Sequence, residues 1–333
     1  MARATIYSIA ERCGVSAATV SRVFNRPELV RESVRERVLR VAAELDYQPS
    51  SAARGLVTGR VGLVALLVPD ITNPFFPLLV RSVQRTAERA GTSLMLIDAE
   101  ESAAAEIRLV TKLRGRVDGV IVASPRASAA ALREAARGLP CVLVNRTLRE
   151  LSSVICDNTA ALFDAGEHLY ELGHRDFALL SGPNASWAAG RRSKAVRRWA
   201  RGRGVRLAEL GPFRSSFKGG RQAGAAFLAT DTTAAFAFDD LMACGVIAEL
   251  AENGVSVPGE RSIVGCDDVL LAQTVTPSLS TVTAPLDDLG RTAVEVLIRQ
   301  IEAPDAEPVA KVLPGVFTRR ASTGPLTGAQ ASA

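Results

Sequence analysis

The side chain best suited to reading a base edge is Arg22, which stands among small polar residues in the stretch Thr5 to Asn25, TIYSIAERCGVSAATVSRVFN. An arginine fork matches O6 and N7 of guanine, Ala17 and Ala18 offer methyl contacts such as thymine accepts, and Ser16 and Ser21 add hydroxyls. Such side chains must stand at the exposed start of a supported helix. Ile6, Ile9 and Ala10 recur at helical spacing and Val15, Val20, Val23 and Phe24 form a second apolar set, so two helices share one small core. Gly14, lacking a Cβ, stops the first helix, and Ser16 caps the second. The pattern predicts a helix-turn-helix with its second helix in the DNA major groove; the alternative is an ordinary surface hairpin.

A second set of chemistry-bearing residues is scattered over the rest of the chain. Short apolar runs alternate with helical patterns: Val61 to Val68 followed by a helix from Pro77, then Ser93 to Ile97, Gly119 to Ala123, Cys141 to Val144 and Ser153 to Ile155. Phe177 to Leu180, a run near Val205, Ala234 to Ala237 and Ser262 to Val264 continue the series. Alternation of this kind predicts an α/β body of doubly wound parallel sheets, whose ligands bind beyond the carboxyl ends of the strands. Those ends carry Asp70-Ile-Thr-Asn73-Pro-Phe75-Phe76, Asn145-Arg146, Ser181 to Trp187 with Arg191-Arg192, Phe238-Asp239-Asp240 and Cys266-Asp267-Asp268. Aromatic faces for C–H groups, with carboxylates, amides and arginine for hydroxyls, suit a polyol such as a sugar. Each element also has a plain use: Asn73-Pro74 as a turn, the paired aspartates as helix caps, or as acid-base or metal groups.

Composition narrows the classes. Residues 1 to 60 hold ten arginines, no lysine and six acids, whereas the remainder of the 40 basic and 35 acidic residues nearly balance, so the excess of +5 sits almost wholly in the first sixth. A basic module on a near-neutral body suits phosphate contact. Beyond residue 60 there is chain enough for two lobes. No signal peptide or membrane span is evident, so a cytoplasmic location is expected. Cys13, Cys141, Cys156, Cys244 and Cys266 lack metal-ligand spacing and read as buried thiols, and His168 and His174 read as helix-packing residues. No cofactor and no metal is expected.

Further motifs place the opening hairpin in context. A third amphipathic helix is expected over Val34 to Leu45, followed by DYQPS and then SAARGLVTGR to Arg60. With GVSxxTVSRVxN and LxYxPxxxAxxL in this order and spacing, the chain resembles the LacI/GalR family of bacterial transcription regulators. DNTAALFDAGEHLYELGH at 157–174, LLSGP at 179–183, VPGERSIVGCDD at 257–268 and TPSLSTV at 276–282 extend the resemblance over nearly the whole chain.

The resemblance implies a helix-turn-helix domain over 1–48, a hinge helix over 49–60, and a two-lobed periplasmic-binding-protein-like effector domain over 61–325. Its N-lobe would take about 61–158 and 286–317, its C-lobe about 159–283 and 318–325, with a disordered tail from 326. DNA contacts would come from Tyr7, Ser16, Ala17, Ala18, Thr19, Ser21, Arg22, Asn25 and Tyr47. Ala53 and the wedge residue Leu56 would enter the minor groove, an insertion that unstacks and bends the duplex. Effector contacts would come from Asn73, Phe75, Phe76 and Arg146 on one lobe and Trp187, Arg192, Asp240 and Asp267 on the other, with Phe213 or Ser215 as further candidates.

Departures from the family pattern are Asp239 where an asparagine is usual, Cys266 where an aromatic is usual, Ala284 where some members have glutamine, and the stretch Arg191-Arg192-Ser193-Lys194-Ala195, which lacks the usual glycine of its helix. The expected partners are approximately palindromic operator DNA, a carbohydrate-like effector and a second copy of the chain, with no membrane and no catalysis. An activator or corepressor-type regulator is the near alternative. A free-standing sugar receptor lacks its signal peptide here, and an enzyme lacks GxGxxG, a Walker lysine loop or a nucleophile-histidine pair.

Overall fold

The computed structural model describes residues 4–47 and 60–326. The chain divides into two compact units, Met1–Leu63 and Val64–Ala333. In the first, α1 spans Ile6–Cys13, α2 Ala17–Asn25 and α3 Glu32–Glu44, with a 3-10 turn over Pro27–Leu29. Thr5 caps α1 through a reciprocal box with Ser8, Gly14 ends it at φ 61°, and the Ser16 hydroxyl accepts the Thr19 amide at 3.1 Å. Ile9, Ala10, Cys13, Val20, Val23, Val38, Val41 and Ala42 form the core. The third helix opens at Glu32, before the expected Val34, because its first-turn acid favours the amide-rich N-terminus and pairs with Arg35 at 2.7 Å. The expected hinge residues Ala53 and Leu56 lie outside the described residues.

The second unit holds two six-stranded sheets. The first contains β1 Leu63–Val68, β2 Ser93–Asp98, β3 Gly119–Ala123, β4 Cys141–Val144, β5 Ser152–Asp157 and β11 Ala310–Pro314, in the order β11-β5-β4-β3-β1-β2. The second contains β6 Asp176–Leu180, β7 Arg206–Leu210, β8 Ala234–Ala237, β9 Ser262–Asp267, β10 Ser280–Thr283 and β12 Val316–Thr318, in the order β12-β10-β9-β8-β6-β7. Both repeat the doubly wound order 2-1-3-4-5, which reverses between β1 and β3 and between β6 and β8 and so opens a crevice at each place. In the second sheet β12 runs antiparallel to β10, whereas β10–β9, β9–β8, β8–β6 and β6–β7 pair in parallel.

Helices cover the sheets: α4 Phe75–Arg89, α5 Ala103–Leu113, α6 Ala129–Ala135, α7 Thr159–Glu171, α8 Trp187–Arg203, α9 Phe217–Leu228, α10 Asp240–Glu252, α11 Leu270–Thr274 and α12 Leu286–Glu302. The expected helix from Pro77 begins two residues earlier, so Phe75 and Phe76 belong to it. One core gathers β1, β3, β4, α4 and α12, and two more flank the second sheet. The chain crosses between sheets near Asn158, between Thr283 and Leu286, and at Gly315. Because Val316–Thr318 pairs with β10, the last crossing falls at Gly315 and not after residue 317 as expected. The crossings touch: a Cβ at Gly315 would lie 2.6 Å from Asn158 Oδ1. Leu326, placed in the expected tail, still donates its amide to Leu172 O at 3.2 Å.

His174 is fully buried, bonded to Thr233 Oγ1 at 2.8 Å and Ser262 Oγ at 3.0 Å, and burial lowers its pKa, so it is a neutral packing residue. His168 bonds Thr323 Oγ1 at 3.0 Å. Four of the cysteines are buried, whereas Cys156 is half-buried. Among the described residues no cluster of His, Cys, Asp or Glu is arranged to hold a metal, and no helix is long and apolar enough to cross a membrane.

Candidate functional site

In the first unit the exposed surface of α2 is built from short residues and one arginine. Ser16, Ala18 and Arg22 are exposed, Thr19 and Ser21 are half-buried, and the Ser16 and Thr19 hydroxyls meet at 2.9 Å. Tyr7 on α1 is 71% exposed, a large aromatic ring held in water. Two expected contact residues are partly spent on the core: Ala17 packs against it, and Tyr47 stacks at 5.8 Å on Phe24, burial raising the pKa of its phenol. Asn25 closes α2.

The second unit brings strand ends from both sheets to one cleft, lined by Asn73, Phe75, Phe76, Ser124, Arg126 and Asn145 from one side. Ser186, Ala188, Arg192, Ser215, Phe238, Asp239 and Asp267 line it from the other. All follow or end a strand at its carboxyl end, where the crevice of a doubly wound sheet must lie. Three of the lining residues hold left-handed backbone, Ser124 (φ 46°), Asn145 (φ 54°) and Asp267 (φ 121°), as does the adjoining Asp268 (φ 59°). Strain gathered at one cleft marks a place where aim matters more than relaxation.

Asn73 shows how a side chain is aimed. Its Oδ1 accepts the Phe75 amide at 3.0 Å, which leaves Nδ2 to donate across the cleft to Ser215 Oγ at 2.9 Å and Asp239 Oδ2 at 3.1 Å. The two lobes are thus already hydrogen-bonded to each other at the centre of the cleft. Arg192 donates to Phe238 O and to Asp267 Oδ1, both at 2.6 Å, and lies over the Phe238 ring at 5.0 Å. Its Nε is buried without a partner. Burial pushes the Asp267 carboxyl up to about 7 against the pull of Arg192, with Asp239 and Asp240 adding to the rise.

The tandem aspartates divide their labour, and this corrects one expected contact. Asp240 is 0% exposed and faces away from the cleft, accepting Thr281 Oγ1 at 2.6 Å and the Val269 amide at 2.9 Å. Its neighbour Asp239 faces the cleft while its Oδ1 caps α10 through the Met242 amide at 2.8 Å. A helix N-terminus turns successive side chains in different directions, so one of the pair must serve the scaffold. Gly265 follows from the same packing, since a Cβ there would lie 2.3 Å from Asp240 Oδ1. Asp268 likewise turns inward, bound by Arg320 at 2.5 Å and by the Thr283 hydroxyl at 2.8 Å.

Other expected contacts are displaced. Trp187 lines an outer compartment with Cys156, Asp157, Leu162 and Arg191, which lies over the indole at 5.6 Å. Arg146 does not line the central compartment; it is half-buried near Glu106, with its Nε lacking a partner. Of the two loop candidates, Ser215 reaches the cleft and Phe213 packs into the second lobe.

Arg126 is the residue that sequence reasoning missed. It is 9% exposed, grips Glu101 with two bonds of 2.6 and 2.7 Å, and lines both the centre and the wider mouth of the cleft. The rule that exposed Asn73 after β1 applies equally after β3, where Ser124-Pro-Arg126 stands. Two of the four family departures fall outside the cleft: Cys266 packs in the second-lobe core and Ala284 in the first. Asp239 lines the cleft, as does Arg192 in the stretch without the usual glycine.

Comparisons with known proteins agree with this architecture. Residues 5–50 match the family model for bacterial regulatory proteins of the lacI family, and residues 167–323 match the periplasmic binding protein-like domain. The chain is 34% identical over 304 residues to the ribose operon repressor of Halalkalibacterium halodurans, covering 90% of each chain. It superposes on the lac repressor dimer bound to operator and the anti-inducer ONPF with a TM-score of 0.87 at 26% identity, over 97% of this chain and 100% of that one. A LacI family transcriptional regulator from Enterococcus faecium with bound ribose aligns with a TM-score of 0.72 at 30% identity, over 80% of this chain and 100% of the other. With its helix-turn-helix unit, its paired doubly wound sheets and these relatives along nearly its whole length, the chain belongs to the lacI family of bacterial regulatory proteins.

Proposed function

We propose that the protein is an operator-binding repressor whose DNA affinity is set by a carbohydrate-like effector held in the cleft, and that it acts without catalysis. The observation that carries this is the convergence of Asn73, Arg126, Asn145, Arg192, Asp239 and Asp267 with Phe76 and Phe238 at the strand ends of two lobes. Amides, carboxylates and a guanidinium with an unused N–H satisfy hydroxyls, and the ring faces suit sugar C–H groups. The ribose-bound relative and the ribose operon repressor support the same class of ligand.

Operator reading falls to the exposed side of α2, with Arg22 as the main hydrogen-bonding reader and Ser16, Ala18 and Tyr7 beside it. The operator-bound dimer among its relatives supports a two-fold protein on an approximately palindromic site. The effector acts through its different affinity for the DNA-competent and incompetent arrangements of the lobes. A gel shift of the full chain on promoter fragments, titrated with a sugar panel, tests both halves. Saturable retardation that one sugar changes is the expected result; no retarded species, or one that no bound sugar changes, removes the proposal.

A further inference from the structure

Four guanidiniums around the cleft are each committed to a partner within the protein. Arg126 is spent on Glu101 and Ser124 O, Arg192 on Asp267 and Phe238 O, Arg320 on Asp268, and Arg191 lies 3.7 Å from Asp157. Each of these four guanidiniums thus already has its own carboxylate.

Asp239 has none. It is 2% exposed and accepts only neutral donors: the Met242 amide, the Asn73 side-chain amide and the Ser215 hydroxyl. Among the described residues no Lys, Arg or His lies within 4.0 Å of its carboxylate. A buried carboxylate bonded only to neutral donors is costly, and a guanidinium already committed to Asp267 offsets only part of the penalty. Nor does the helix cap require the charge, since asparagine caps as well as aspartate and is the residue usual at this place in the family pattern. Asparagine would also keep an acceptor for Ser215. What aspartate adds at this position is a negative charge facing the ligand space.

A second atom in the same compartment is also unsatisfied. Arg192 Nε is buried with no partner, while its two terminal nitrogens are fixed on Asp267 and Phe238. The compartment therefore lacks one acceptor at Arg192 and one cation at Asp239. Since Asn73 reaches Asp239 from the opposite lobe, a group seated on this carboxylate would be gripped from both sides as the lobes close. A phosphate or a second carboxylate there would meet like charge.

We infer that the effector is an aminated polyol, whose oxygen accepts from Arg192 Nε and whose protonated amine sits on Asp239; this rests on the carbohydrate reading of the cleft. The test uses the full chain with matched neutral and amino sugars, namely glucose with glucosamine, galactose with galactosamine, and mannose with mannosamine. Binding is followed by calorimetry and thermal shift at a pH where the amines are protonated. In at least one pair the amine should bind roughly tenfold or more tightly than its neutral partner, and Asp239→Asn should bring the two to within about twofold. Neutral sugars binding the wild type as tightly as their amines, or a preference that survives Asp239→Asn, would overturn the amine assignment and leave the cleft reading intact. If no member of any pair binds, the carbohydrate reading falls with it. The wild-type comparison decides the matter even where the variant folds poorly.

Discussion

The two units solve recognition in opposite ways. The helix-turn-helix unit carries the proposed operator readers Ser16, Ala18 and Arg22 on or beside one short helix, Ala17–Asn25, so spacing along the sequence becomes spacing on a surface. In the second unit, Asn73 meets Asp239 across 166 residues of chain, and its neighbours come from strand ends on two sheets. Damage to a local reader should stay local, whereas damage to an assembled cleft should spread into the fold that assembles it. Side chains of the helix surface stand in water, but those of the cleft are buried and hold one another.

Arg192→Ala gives the largest contrast. It leaves Asp267 buried and unpaired, and loss of one member of a buried pair costs about 3 to 5 kcal/mol. Urea unfolding should register that loss in the second unit, and the sugar-induced thermal shift should disappear. A loss under about 1 kcal/mol would show that the cleft is less interlocked than its hydrogen bonds imply.

Next comes pH. Burial raises the Asp240 carboxyl from 3.8 to about 6, so between those values the unfolded chain has lost a proton that the folded chain retains. Stability from this group is therefore fully present below the unfolded pKa and declines as pH rises towards 6 and beyond, by on the order of 3 kcal/mol as an upper bound. Asp240→Asn should flatten that decline, because a side-chain amide carries no charge to desolvate. Denaturant midpoints across the acid range check it; a wild-type midpoint that rises through the window would contradict the assignment, after allowance for the other carboxylates.

Arg22→Ala should act in the other unit alone. Specific operator binding should weaken by about 1 to 3 kcal/mol while the sugar-induced shift stays unchanged. A binding-site selection that returns the wild-type base preference would remove Arg22 from the reading role. Ser16→Ala is smallest, about 1 kcal/mol of stability in the first unit through loss of the α2 cap. Local melting followed by near-ultraviolet signals from Tyr7 and Tyr47 would detect it, and no change would mean that the 2.9 Å partner Thr19 replaces the cap.

This contrast explains what could be read before folding. The turn at Gly14, the Ser16 cap and the apolar spacing are decided within a few residues, so they were legible. The strand series was legible too, because fully buried strands such as Leu63–Val68 and Gly119–Ala123 are unbroken apolar runs. The edge strand Ala310–Pro314 and the antiparallel Val316–Thr318 are half-exposed, and Ser280–Thr283 is buried but mostly hydroxyl-bearing, so none of the three carries such a run and the strand series above omits them. Which aspartate of a pair faces the ligand depends on one step of helix phase at Asp239, a tertiary choice that composition does not reveal. Arg126 stands just after β3, where the strand-end rule points, but its grip on Glu101 is a pairing that no local pattern shows.

The most direct test of the account is an operator titration of the full chain, by fluorescence anisotropy, with and without a sugar shown to bind it, for wild type and Arg192→Ala. A dependence of operator affinity on sugar in the wild type, lost in Arg192→Ala while the variant still binds operator, is the predicted result. Identical operator affinity with the wild-type cleft full or empty would contradict it.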